Sequence, residues 1–261
     1  MIVSGRRPDP SLGIFETLLV VAGEPVELEA HLARLGTSLA DLYGAEVPID
    51  AAGLVRAAAA ESELGRLRLT VVPSDAGLEL DVRVRPVDPR IMFPSAENGA
   101  RLRATHRAGG HGPYKWVDRP GMDRSETGSG LLIRDGEELL EAGWANLFAV
   151  RGGTLWTPAA DGRILAGMAR AAVQEIAREE GVEVREGPLR REDLLTADEV
   201  FLTNSVRGIE PAVELDGRPL AGCGPVSRRL AAGLRRRWGL PDGSGDPEAP
   251  AAVPIPGPPA R

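Results

Sequence analysis

The chain has 261 residues, of which 43% are hydrophobic and 26% charged, with a formal net charge of −7. That length and apolar content support a substantial core in one large or two modest domains. The basic residues are scattered and the balance is acidic, so neither a nucleic-acid-binding stripe nor a membrane-surface patch is expected, and no segment approaches the ~20 apolar residues of a membrane span. The first residues lack an apolar run of signal-peptide length, the single cysteine, Cys223, excludes an internal disulfide, and the histidines at 31, 106 and 111 have no metal-site spacing. The expectation is a cytoplasmic globular protein with no structural metal, in which a small anionic substrate would need a local arginine cluster.

In chain order, residues 14–21 form a β-branched apolar run that breaks at Ala22-Gly23-Glu24-Pro25, a strand and turn. Leu32, Leu35, Leu39 and Leu42 recur at three and four residues, predicting a helix over 29–42 that Gly44 stops. A second helix is expected over 51–61. Residues 68–72 and 78–84 alternate with period two around 73–77, a hairpin with one wet face. The Gly-rich stretch 108–113 then separates two patterns, placing a small α+β domain at 1–107, an interdomain loop at 108–114 and a larger α/β domain at 115–240. Within the second domain, strands are predicted at 131–133, 146–150 and 200–203 and helices at 168–179 and 226–238. The basic last turn of the second helix, Arg235-Arg236-Arg237, complements the helix dipole and reads as a solvated end. Residues 241–261 are rich in Pro, Gly and Ala and are expected to be disordered.

The residue that carries most chemical information is Lys115. Thirty of the 31 basic side chains are arginine, and Lys115 is the only lysine. A guanidinium stays protonated in any protein setting, whereas a desolvated lysine can lose its proton and attack a carbonyl, so an isolated lysine points to Schiff-base or general-base work. Downstream, Glu141 lies just before a strand expected to be buried. Gly167 precedes the helix at 168–179, an arrangement that aims unsatisfied N–H groups at a phosphate. The strand ending Thr203-Asn204-Ser205 could add hydroxyls, and Arg34 on the first helix could take a phosphate bidentately.

The ordered set Gly13 to Thr17, His31-Leu32-Ala33-Arg34-Leu35, Lys115 to Arg119, Glu141 with Asn146-Leu147-Phe148, 164–170 and 197–205 resembles the fold-type IV pyridoxal-phosphate enzymes. That group contains branched-chain aminotransferases, D-amino-acid transaminases and 4-amino-4-deoxychorismate lyases. The resemblance implies that Lys115 carries pyridoxal 5'-phosphate as a Schiff base and moves protons once released. It implies that Glu141 pairs with the pyridine nitrogen, while Arg34, the backbone of Met168 and Ala169, and Ser205 hold the phosphate. Family members often carry Thr where this chain has Ala169.

The choice of reaction turns on Thr17. Branched-chain aminotransferases usually read Phe-Glu-Gly where this chain has Phe15-Glu16-Thr17, and the threonine is similar to the aminodeoxychorismate lyases, in which its hydroxyl assists proton transfer as pyruvate leaves. The resemblance therefore implies a homodimeric lyase forming 4-aminobenzoate for folate biosynthesis, with an aminotransferase acting on branched-chain or D-amino acids as the alternative. The Arg/Gly-rich loop of many lyases is reduced here to 73–77, so Arg107 and Arg207 stand as candidates to receive substrate carboxylates.

Overall fold

The structure is a computed structural model that describes residues 8–119, 125 and 128–241. The tail expected to be disordered falls, from residue 242 onward, outside the described residues. The elements of the first half are β1 (Ile14–Val21), β2 (Glu24–Pro25), α1 (Leu28–Tyr43), α2 (Ala51–Ala59), β3 (Leu64–Ser74) and β4 (Gly77–Pro86). The strands form an antiparallel sheet in the order β2-β1-β3-β4. Side chains alternate across a strand, and that alternation sorts β1 into two faces. Ile14, Leu18 and Val20 join Leu67, Leu69 and Val71 of β3 beneath Leu35 and Leu39 of α1 and Val55 of α2. Leu19, on the opposite face, packs into the core of the second half.

The second half contains β5 (Ala100–His106), β6 (Ser129–Asp135), β7 (Glu138–Ala142), β8 (Ala145–Arg151), β9 (Thr154–Thr157), α3 (Met168–Glu179), β10 (Val184–Glu186), α4 (Arg191–Leu195), β11 (Glu199–Asn204), β12 (Gly208–Leu215), β13 (Arg218–Pro219) and α5 (Pro225–Arg237). Its strands run β10-β9-β8-β11-β12-β5-β6-β7, with β13 paired to β12. Because β7 pairs back to β8 through Glu141 with Asn146 and Ala142 with Ala145, the strands from β8 to β7 close into a ring. Leu102, Leu132, Ala142, Leu147, Leu202 and Ala212, one from each strand of the ring, belong to a single buried cluster. On the other face of β8 and β11, Phe148 and Phe201 stack with ring centroids 5.2 Å apart and pack with Ala169 and Val173 of α3 and Leu230 and Leu234 of α5. A fully buried phenylalanine of this kind contributes about 1.5–3 kcal/mol through area removed from water. The fold is thus the α+β architecture of fold-type IV, and among the described residues no helix is long and apolar enough to cross a membrane.

One expectation needs correction and two gain detail. Strand β5, placed in the first domain by its sequence position, pairs in parallel with β6 and β12, so the chain changes sheets between Pro86 and Ala100, ahead of the 108–114 loop. Glu141 precedes the buried strand β8 as expected, but it also lies within a strand of its own, β7, that was not foreseen. Residues 139–142 are buried on both faces, and a strand buried on both faces shows no alternation to read. The helix end formed by Arg236 and Arg237 is exposed, as expected, but its arginines also reach other elements: Arg237 bridges Glu27 and Glu175 at 2.8 and 2.5 Å, and Arg235 lies over Phe93 at 4.2 Å from its centroid.

Candidate active site

Lys115 sits in the segment that joins β5 to β6, and its backbone is held against the start of β1. The Phe15 N–H donates to the Lys115 carbonyl at 2.9 Å, and the Val117 N–H donates to Gly13 at 3.0 Å. Gly13 has φ +82°, and a Cβ there would lie 2.1 Å from the Val71 carbonyl oxygen; only glycine lets the two strands approach so closely at this backbone angle. The contact places the Lys115 Nζ 5.1 Å from the centroid of the Phe15 ring. Two guanidiniums share that ring, with Arg68 at 3.7 Å and Arg119 at 4.7 Å. Thr17 is the register partner of Arg68 across β1 and β3, and period-two alternation puts it on the same face as Phe15.

Burial pulls Lys115 down from 10.5 to about 7, with Arg34, Arg119 and Arg68 pushing the same way against the opposing pull of Glu16. At neutral pH a large fraction of this amine is unprotonated and nucleophilic. Glu16 anchors a buried cluster on the α1 face of β1. Its carboxylate accepts from His31 Nδ1 at 2.8 Å and from Arg34 through Nε at 2.9 Å and Nη2 at 2.5 Å. Burial alone would raise this carboxyl, but the Arg34 charge and the hydrogen bonds from His31 and Arg34 outweigh it and hold it well below the usual carboxylate range.

Glu141 is 5% exposed and faces the loop before α3. Its Oε2 accepts from the Leu165 N–H and from Asn146 Nδ2, both at 3.2 Å, and Oε1 accepts from Leu165 at 3.3 Å. Burial raises the carboxyl to about 8, while the Leu165 N–H and the charges of Arg119, Arg170 and Arg34 pull the other way. Such a group holds its proton at neutral pH and surrenders it to a basic nitrogen brought beside it.

The same loop leads to the N-terminus of α3. Gly167 is the N-cap and contributes no side-chain cap, and no acidic residue lies in the first turn. The leading N–H groups and the positive end of the helix dipole are therefore available to an anion. A Cβ at Gly167 would lie 2.1 Å from Asn146 Oδ1, so the Asn146 amide occupies the space that a side chain here would take. Asn146 also donates to the Leu165 carbonyl at 2.8 Å. Arg34 reaches this cradle from α1, donating through Nη1 to the Ala166 carbonyl at 2.7 Å. Its Nε–Nη2 edge is turned onto Glu16, so a grip on an anion would come from the remaining N–H groups of Nη1 and Nη2.

Arg34 and Arg119 act electrostatically on both Lys115 and Glu141, Arg34 reaches the loop before Met168 and Ala169 through the Ala166 carbonyl, Thr17 shares a face of β1 with Phe15, and Ser205 lies in the turn that follows β11. Of the arginines considered for substrate, Arg207 donates to the fully buried Glu210 at 3.2 Å, and Arg107 lies near His111, whose imidazole is held down to about 3 by burial and by the charges of Arg107 and Arg119. Arg68 and Arg119 were missed. Arg68 was marked only by its place on the non-core face of an alternating strand, and nothing in sequence ties Arg119 to Phe15.

The amino-transferase class IV family profile matches residues 13–215. A branched-chain-amino-acid aminotransferase of Escherichia coli (strain K12) is 41% identical over 103 residues, 39% of this chain and 33% of that protein. A D-alanine aminotransferase of Listeria monocytogenes is 34% identical over 101 residues, 38% of this chain and 35% of that protein. The chain thus spans about a third of the length of these curated relatives. Over nearly its whole length it superimposes on the crystal structure of 4-amino-4-deoxychorismate lyase from Pseudomonas aeruginosa, with a TM-score of 0.72, 29% identity and coverage of 89% of this chain and 97% of that one.

Proposed function

This chain belongs to the amino-transferase class IV family, and we propose that within it the protein is a pyridoxal-phosphate lyase that converts 4-amino-4-deoxychorismate to 4-aminobenzoate and pyruvate. The residues fit the cofactor on their own chemistry. An amine drawn down to about 7, a buried carboxyl raised to about 8 and an uncapped helix N-terminus suit, in turn, an aldehyde carbon, a basic ring nitrogen and a phosphate. When bound, pyridoxal phosphate supplies an electron-accepting ring beside the substrate's amine-bearing carbon. Glu141 would keep the ring nitrogen protonated, and Arg34, Met168, Ala169 and Ser205 would hold the phosphate. Lys115 would take the proton from the amine-bearing carbon of the substrate, and Thr17 would assist its delivery as the enolpyruvyl group departs.

The observation that carries the lyase reading is the register pair Thr17 and Arg68, which sets a hydroxyl beside a guanidinium on the face that carries Phe15. Aminodeoxychorismate has two carboxylates. Arg68 and Arg119, both within 5 Å of the Phe15 centroid, form a cationic edge that suits a substrate with two carboxylates better than a branched-chain amino acid, which has one. An aminotransferase is the second reading, favoured by the identity to the two aminotransferases. Incubation with aminodeoxychorismate tests the choice: release of 4-aminobenzoate supports the lyase, whereas conversion of the cofactor to its pyridoxamine form by Leu, Val or D-Ala without 4-aminobenzoate overturns it. The proposal extends to a cytoplasmic homodimer serving folate biosynthesis, and light scattering that finds an active monomer at assay concentration would refute the dimer.

A further inference from the structure

Glu16 lies between Phe15 and Thr17 on β1, and alternation turns it to the opposite face, the one that carries Ile14, Leu18 and Val20 into the core beneath α1. It is 2% exposed there. Packing gives no reason for a carboxylate in that row: an apolar side chain would continue the face, and a buried ion pair is weak evidence for stability. What a carboxylate does that an apolar group cannot is fix a guanidinium plane. Its Oε1 accepts from Arg34 Nε at 2.9 Å and its Oε2 from Nη2 at 2.5 Å, while His31 Nδ1, one turn earlier on α1, donates to the same Oε2 at 2.8 Å. A planar guanidinium gripped along one edge has its opposite end aimed. Here that end is Nη1, which crosses to the second half of the chain and donates to the Ala166 carbonyl in the loop ahead of α3 at 2.7 Å.

We propose that Glu16 is a positioning residue of this site, holding Arg34 by its Nε–Nη2 edge so that the Nη1 end stays at the loop before α3, where a phosphate monoester is received. The inference rests on the pyridoxal-phosphate reading and adds to it a residue that acts on the cofactor only through others. Glu16 also has a second target. The charged groups acting on Lys115 are Glu16 from β1, Arg34 from α1, Arg68 from β3 and Arg119 from the loop after the lysine, and of these four Glu16 alone is negative. Its charge opposes the three guanidiniums, so without it the amine would hold its proton less well. One carboxylate thus sets both the direction of Arg34 and the charge balance at Lys115.

The test compares pyridoxal 5'-phosphate with pyridoxal, which lacks the phosphate, by fluorescence titration of the cofactor-stripped full chain at about pH 9, where Lys115 is neutral in every variant. Glu16→Gln removes the charge and one of the two acceptors of the grip at nearly constant volume. It should weaken pyridoxal phosphate about tenfold, as expected for one hydrogen bond between charged groups, while leaving pyridoxal within about twofold. In an Arg34→Lys background, which has no guanidinium to aim, Glu16→Gln should change the ratio of the two affinities by less than about twofold. The pH midpoint of reloading should fall by about one pH unit in Glu16→Gln, because an anion is lost beside the amine. Glu16→Asp keeps the charge but withdraws it by one methylene, so the midpoint should stay within about half a pH unit of wild type while a selective loss of about threefold in pyridoxal phosphate remains; this variant carries the test if the glutamine one does not fold. A merely structural carboxylate would weaken both ligands together and leave the midpoint in place. Equal loss of both ligands, the same selective loss with Arg34 already replaced, or a midpoint that holds or rises in Glu16→Gln would overturn the assignment. Failure of wild type itself to bind pyridoxal phosphate would instead bring down the cofactor reading and this inference with it.

Discussion

Glu141→Gln should stabilise the cofactor-free protein while disabling the loaded enzyme, and the size of the effect follows from burial. The carboxyl is raised from 4.5 to about 8 in the folded protein, whereas the unfolded chain returns it to its ordinary value. The folded form thus holds a proton that the unfolded form sheds. Its contribution to stability is complete below pH 4.5 and is lost as pH rises towards 8. At 1.36 kcal/mol per unit, the loss amounts to about 1 kcal/mol at pH 5 and about 4 kcal/mol at pH 7.5. Glutamine does not titrate, and its oxygen can occupy the place of Oε2, which already accepts from both Leu165 and Asn146. Urea unfolding of the stripped proteins should therefore show the advantage of the variant growing by about 3 kcal/mol between pH 5 and 7.5. An advantage that stays constant over that range would refute burial as the source of the raised pKa. In the loaded enzyme the amide cannot hold a charge against the ring nitrogen, and kcat should fall by at least about 10²-fold.

Reloading of the stripped enzyme with pyridoxal phosphate requires a neutral Lys115, so its rate should climb with pH and reach half its plateau near 7 rather than 10.5; a midpoint above 9 would contradict the desolvated amine. Arg68→Gln removes one of the cations that hold Lys115 down, so the same midpoint should move upward and the KM for aminodeoxychorismate should rise. An unchanged midpoint and KM would exclude Arg68 from the site. Lys115→Arg keeps the charge but should abolish both yellow colour and turnover, and borohydride should fix the cofactor of wild type on the peptide carrying Lys115. Thr17→Val should lower kcat for aminobenzoate release about 10²-fold with little change in cofactor affinity, and a loss confined to cofactor binding would remove Thr17 from the proton path.

Features set by local chemistry were readable from the chain alone. A single lysine among thirty arginines, the leucine spacing of α1 and the glycine ahead of α3 each express a constraint carried by one residue type or one period. The positions of β1, α1 and α3 followed, as did the neighbourhood in which Lys115, Glu141 and Gly167 would matter. What depended on partners distant in sequence was not readable. Strand β7 is buried on both faces and so shows no alternation, and β5 belongs to the second sheet because of its pairing with β12, more than a hundred residues away. The fork of Arg34 turns onto Glu16 only because the register of β1 brings that carboxylate under α1. The cations around Phe15 arrive from β3 and from the loop after Lys115. Residue types announce which chemistry is possible, but charge–charge distances and desolvation arise from the packing of non-local segments, and it is these that bring Lys115 to about 7 and Glu141 to about 8.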